Sequence, residues 1–121
     1  MYHGSLSVEF LFTPGCCCAG PALRRLRQVL WQEHCESPIR VRVIQTVEEG
    51  VRHHFHGSPT ILIDGVDIEG PSMAHLRARL GCRVYYAHGE CLGVPDAELI
   101  RSAIHTHPGL RRPSGEGLRN P

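Results

Sequence analysis

The sequence predicts an α/β fold: a mixed four-stranded sheet in the order βαβαββα, flanked by helices. Three observations lead there. Apolar alternation over 5–12 and again over 39–43 brackets a helical stretch. Such a strand–helix–strand unit forces a parallel pair with a right-handed crossover. A third apolar run, Thr60-Ile61-Leu62-Ile63, meets Asp64-Gly65, a tight-turn signal that returns an antiparallel strand. The chain has 121 residues and 41% apolar content, enough for one core in one domain.

Each element has its own signal. In the first strand Leu6, Val8, Phe10 and Phe12 fall on one face, and Leu11 on the other suggests burial on both sides. Thr13-Pro14-Gly15 ends it. Pro21 suits a helix's first turn, where its missing N–H costs nothing. Leu23, Leu26, Val29 and Leu30 then give an apolar stripe to about Cys35, with Arg24, Arg25 and Arg27 on the remaining surface. Ser37-Pro38 breaks the chain before the second strand, where Ile39, Val41 and Val43 alternate with Arg40 and Arg42. Thr46 caps a short helix with Glu48 and Glu49 in its first turn. That helix is expected to reach about Phe55, with Gly57 marking its end. The third strand is 60–63, and 66–68 is the returning strand. Residues 71–80 read as a helix closed by Gly81, the inserted helical segment before the last helix, and 82–86 as extended or irregular. Pro95 opens the last helix, which carries Leu99, Ile100, Ala103 and Ile104. The domain is expected to span 1–107. Residues 108–121 are rich in Gly, Pro, Arg and Ser and read as a flexible tail.

Composition excludes several function classes. A formal charge of +1 gives no electrostatic reason to expect a nucleic-acid or membrane partner. No apolar run reaches the roughly 18 residues of a membrane span. The opening residues show no secretory pattern, so the expected compartment is cytoplasmic. Clustered cysteines there more often bind metal or do redox chemistry than staple a fold. There is no glycine-rich phosphate loop, Ser-His-Asp order or paired-carboxylate signal.

Six cysteines is many for this length, and three are contiguous: Cys16-Cys17-Cys18. They sit where a strand turns into a helix. Unpaired backbone N–H groups and the positive helix end favour thiolate there, and the thiolate is both nucleophile and soft-metal ligand. The plainer alternative, three small buried hydrophobes, fits a run of three at a turn less well. Cys35, late in the long helix, reads as structural. Cys82 is either a core cysteine or a thiol that returns to the loop as a resolving group or third sulfur ligand. Cys91, in Gly89-Glu90-Cys91, reads as more exposed. His53, His54 and His56 are either a solvated helix end or imidazole ligands. With the thiolates they would suit zinc, copper(I) or mercury(II). His56 near Cys16 would, as imidazolium, lower its pKa.

Strand, cysteine turn, helix, strand, helix and then Gly57-Ser58-Pro59-Thr60 before a strand together resemble the thioredoxin-like superfamily. More narrowly, the chain resembles small bacterial thioredoxin-like proteins labelled alkylmercury-lyase-like. The matching pieces are residues 8–16, the block GSPTILIDG, Cys82-Arg83-Val84-Tyr85, and Gly93-Val94-Pro95. The resemblance covers roughly 5–105. It implies a cis Pro59 facing Cys16, with Ser58, Pro59 and Thr60 forming a substrate-binding loop whose exposed Ser58 backbone edge pairs with a bound strand.

The cysteine loop departs from the superfamily's pattern of two cysteines separated by two residues, which would put the second at Ala19. Adjacent Cys16 and Cys17 would close a strained ring, and Cys16 with Cys18 needs a tight turn. A strained disulfide is easily reduced and therefore oxidising. The leading expectation is a thiol–disulfide oxidoreductase acting on a protein or small-molecule disulfide. Cys16 attacks, Cys18 or Cys82 resolves, and no cofactor is required. The alternative is a soft-metal protein holding its ion through Cys16, Cys17 and Cys18. The family label adds carbon–mercury cleavage, for which no acid can be named. A non-catalytic domain is the remaining reading.

Overall fold

The computed structural model describes residues 6–87 and 90–106, so the expected tail at 108–121 and the first residue of the opening strand lie outside it. The chain is a mixed α/β protein. It runs β1 (Val8–Phe12), α1 (Ala19–Gln32), β2 (Ile39–Val43), α2 (Val47–Arg52), β3 (His56–Ser58), β4 (Thr60–Ile63) and β5 (Val66–Asp67). A 3₁₀ turn (Pro71–His75) follows, then β6 (Arg79–Cys82), β7 (Tyr85–Ala87), β8 (Glu90–Leu92) and α3 (Ala97–Thr106).

Four strands form the main sheet in the order β2-β1-β4-β5. β2 lies parallel to β1, with Phe10 opposite Val41. β4 lies antiparallel on the other side of β1, with Phe10 opposite Ile61. β5 returns from β4 through Asp64 and Gly65, both at positive φ, as a tight two-residue hairpin requires. Alternation along β1 and β4 gives the sheet two apolar faces. Val8, Phe10, Ile61 and Ile63 pack against Ala22, Leu26, Val29 and Leu30 of α1 and Ile100 and Ile104 of α3. Leu11 and Leu62 face the other way, onto Ile44, Phe55 and Leu80. Cys35 is buried in the first of these layers.

Both leading helices end in the same way. At the end of α1 the His34 amide donates to the Trp31 carbonyl (3.1 Å) and the Cys35 amide to Leu30 (2.9 Å). At the end of α2 the His54 amide donates to Val51 (3.4 Å) and Phe55 to Gly50 (2.9 Å). His34 and His54 each sit at φ 58°. These are Schellman closures with histidine in the left-handed position that glycine usually takes. The α2 closure corrects the expectation of a helix reaching Phe55: the chain leaves the helix at Arg52, and Phe55 turns into the core instead. The start of α2 follows expectation. Thr46 Oγ1 accepts from the Glu49 amide (3.1 Å) while Glu49 Oε1 accepts from the Thr46 and Gln45 amides (3.2 and 2.7 Å), a capping box. Those backbone amides, Gln45 first, hold the Glu49 carboxyl below its usual range.

The inserted segment is helical only over Pro71–His75, as a 3₁₀ turn, and Leu76 is already extended (ψ 156°). A helix there would have needed a buried stripe, yet Ala74 and Leu76 are exposed and Leu80 is half-buried. The backbone gains more from pairing: β6 lies parallel to β3, with Arg79 opposite His56 and Cys82 opposite Ser58. β7 and β8 form a short antiparallel pair. Among the described residues no helix is long and apolar enough to cross a membrane.

Arg101 of α3 bonds Gln32 (2.9 Å), the last residue of α1, and Glu33 (3.1 Å) just after it, fixing the two helices over the first core layer. Leu26 is fully buried at the centre of that layer. Leu26→Ala is expected to cost about 2–5 kcal/mol through lost contacts and a residual cavity. Urea unfolding monitored by far-ultraviolet circular dichroism measures it.

Candidate active site

The loop between β1 and α1 carries Cys16, Cys17 and Cys18. It opens with a turn in which the Cys16 amide donates to the Thr13 carbonyl (3.3 Å). It closes into the helix as Ala22 donates to the Cys18 carbonyl (3.0 Å). Cys16 and Cys18 are half-buried, and Cys17 is exposed. All three are reduced thiols. Cys17 Sγ lies 4.0 Å from Cys18 Sγ.

Cys18 is the N-cap residue of α1, but its side chain makes no cap hydrogen bond. Its dihedrals are already helical (φ −92°, ψ −8°), whereas a capping side chain normally needs an extended backbone to swing back to the free amides. This corrects the thiolate expectation for that position. Burial pushes the Cys18 thiol up from its ordinary value, and the hydrogen bond and charge of Cys17 and the nearby Cys16 and Cys82 push the same way. On its other side is Gly93: a Cβ there would lie 2.6 Å from Cys18 Sγ. The glycine leaves the room that the sulfur fills.

The Ser58-Pro59-Thr60 step meets this loop. Ser58 Oγ accepts from the Thr13 amide (3.0 Å), which ties the step to the end of β1. The Ser58–Pro59 peptide is cis. Thr60 Oγ1 donates to the Gly57 carbonyl (2.6 Å), and the Tyr85 hydroxyl donates to the Pro59 carbonyl (2.6 Å). Burial keeps that phenol protonated, raising its pKa against the lowering influence of Arg83.

Cys82 reaches the same place by β-pairing. It stands opposite Ser58 in the β3–β6 ladder, it is exposed, and Cys18 senses its charge. The expected exposed edge at Ser58 is therefore corrected: Ser58, Pro59 and Thr60 are buried, and the Ser58 carbonyl already accepts from the Arg83 amide (3.0 Å). The chain's own β6 occupies the edge that was expected to take a substrate.

Arg83 locks this arrangement. Its guanidinium gives Asp67 two bonds, Nη1 to Oδ2 (2.8 Å) and Nη2 to Oδ1 (2.6 Å). It also bonds Glu69 (2.9 Å) and Thr60 Oγ1 (3.1 Å), and it lies 4.6 Å over the Tyr85 ring. Burial opposes its charge, but the Asp67 fork outweighs that and raises its pKa. Sequence reasoning took Arg83, Tyr85 and Gly93 only as parts of matching segments, and gave no role to Thr13, Asp67 or Glu69. A lone arginine between Cys82 and an apolar pair was the only available signal.

The histidines separate. His54 closes α2 and is exposed, His53 is half-buried, and His56 is buried with Nδ1 3.3 Å from the Arg77 carbonyl. Burial, then Arg42 and Arg52, push the His53 pKa down. His56 and His54 line a cavity of about 120 Å³ with Leu62, Gly65, Val66 and Asp67. Among the described residues no three His, Cys, Asp or Glu side chains converge to hold a metal ion. The Cys91 side chain lies outside the described residues. No family model, curated protein or solved structure matches the chain.

Two outcomes follow from this geometry. A raised pKa leaves less thiolate at any pH below it, so Cys18 is expected to be alkylated after Cys17 at pH 7. The gap narrows as pH rises past the ordinary thiol value of about 8.5. Peptide mapping after timed iodoacetamide pulses reads this, and Gly93→Ala should change the Cys18 rate by displacing its sulfur. Arg83→Leu strands a buried carboxylate and is expected to cost about 3–5 kcal/mol, most of it recovered in Arg83→Leu with Asp67→Leu. Urea unfolding of the single and double variants tests the pair.

Proposed function

We propose that the chain is a thioredoxin-like thiol–disulfide oxidoreductase. The observation that carries the proposal is the junction of three segments at one point. The cysteine loop follows β1, the Ser58–Pro59 step is bonded to Thr13, and Cys82 stands opposite Ser58. The β2-β1-β4-β5 order, with β2 parallel and β4 and β5 antiparallel, supports the thioredoxin-like reading, as does the position of the cysteines between β1 and α1.

In this mechanism the Cys16 thiolate attacks one sulfur of a substrate disulfide. The S–S bond breaks, the first substrate thiolate leaves and takes up a proton, and a Cys16 mixed disulfide remains. A second protein thiol, Cys82 or Cys18, then attacks Cys16 sulfur after losing its proton, and the second substrate thiol leaves. The substrate gains two electrons and two protons, and the protein is left with one intramolecular disulfide. An external thiol reductant restores it. Cys18, with its raised pKa, keeps its proton at neutral pH and suits the later step better than the first attack. Ser58 and Pro59 hold the loop against which Cys16 works.

Cys16→Ser is expected to lose turnover by a factor of about 10³ or more, with no mixed disulfide trapped. Cys82→Ser and Cys18→Ser should be compared for accumulation of the mixed disulfide by intact mass; the one that accumulates it identifies the resolving thiol. Unchanged disulfide reduction by Cys16→Ser would sink the assignment.

A further inference from the structure

We infer that this centre acts on small-molecule disulfides and not on disulfides presented within a protein strand. The inference rests on the oxidoreductase reading and adds its substrate class.

A strand-presenting substrate binds by adding its backbone to an open sheet edge, where the ladder hydrogen bonds supply the affinity. The edge beside the cysteine loop is the Ser58 segment, and it is taken. Its carbonyl accepts from Arg83, and Cys82 is its ladder partner. Ser58 is 2% exposed and Thr60 fully buried. The occupying strand is not loosely laid down. The residue that follows it, Arg83, is held by the buried fork to Asp67, with both side chains 4% exposed. The next acceptor along β6, the Cys82 carbonyl, takes the Arg79 guanidinium (3.0 Å).

Distance completes the case. A strand added outside β6 would lie one ladder spacing further out, about 4.8 Å. Sulfur exchange needs approach toward a bond of about 2 Å, and an S–S unit held one strand away from the loop is outside that reach. The thiols themselves stay accessible: Cys17 and Cys82 are exposed and Cys16 half-buried. A disulfide that needs no backbone ladder can enter where a chain cannot lie down. The balance is that of the proposed cycle: two protein thiols become one disulfide while RS–SR becomes two RSH.

The test mixes the fully reduced, full-length chain with oxidised glutathione, 2-hydroxyethyl disulfide and insulin at equal disulfide concentration. Formation of the protein disulfide is followed by quenched-flow intact mass. Both small disulfides are expected to oxidise the protein at least about tenfold faster than insulin does. The Arg83 amide should be protected in hydrogen exchange, because it is bonded to Ser58. Insulin reacting as fast as the small disulfides, or an Arg83 amide that exchanges freely, overturns the substrate class and leaves the redox reading standing. Failure of all three substrates removes the redox reading, and this inference with it.

Discussion

The ion pair between Arg83 and Asp67 is the constraint on which the site depends. Taking two charges out of water costs several kcal/mol for each, and only a complete set of hydrogen bonds offsets that. At Arg83 both Nη nitrogens are engaged on Asp67, with Glu69 and Thr60 Oγ1 as further acceptors and the Tyr85 ring against its face. The same residue's amide holds the Ser58 carbonyl. One side chain thus joins the returning hairpin strand, the Ser58–Thr60 step and the inserted segment. Its neighbours follow from that: Cys82 stands opposite Ser58, and Tyr85 reaches the Pro59 carbonyl because Arg83 is anchored between them.

The thiols respond to the same packing. Four cysteines brought near one another cannot all ionise independently, since each charge opposes the next. At Cys18 partial burial comes first, and Cys17, Cys16 and Cys82 add to it. The helix terminus alone would have argued for the opposite shift. Orientation decides the matter. A sulfur that is not aimed at the free amides gains little from them, and Cys18 makes no cap hydrogen bond. Burial and the neighbouring sulfurs therefore disfavour the thiolate at Cys18.

The main sheet was legible in the sequence because its signals are local. Alternation at Val8, Phe10 and Ile39–Val43, the Asp64-Gly65 turn and the Leu26, Val29 and Leu30 stripe each name their element without reference to the rest. The cysteine loop was legible for the same reason. The inserted segment was not. Met73, Leu76 and Leu80 have helical spacing, but their partner is a three-residue strand at 56–58 whose own sequence, His-Gly-Ser, carries no strand signal. Nor could the burial of Arg83 be read, because its carboxylate lies 16 residues away on a strand of two residues. Non-local pairing of short, polar strands leaves no periodicity to detect.

Two missing side chains then decide how closely these segments approach. A Cβ at Gly57, where φ is 108°, would meet Arg83 Cβ at 3.0 Å and the Gly81 carbonyl at 3.3 Å. A side chain there would be strained at this φ and would press Arg83 and Gly81 outward, loosening β6 against β3. At Gly93 the same absence makes room for Cys18 Sγ. The centre is consequently walled by backbone approached at van der Waals limits on both sides: the β6 strand closes the lateral edge, and Gly93 backs the helix-start thiol. Cys17 and Cys82 remain exposed and Cys16 half-buried. The Ser58 edge closed in this way offers no open ladder to an added strand, while Cys17 and Cys82 stay exposed to solvent.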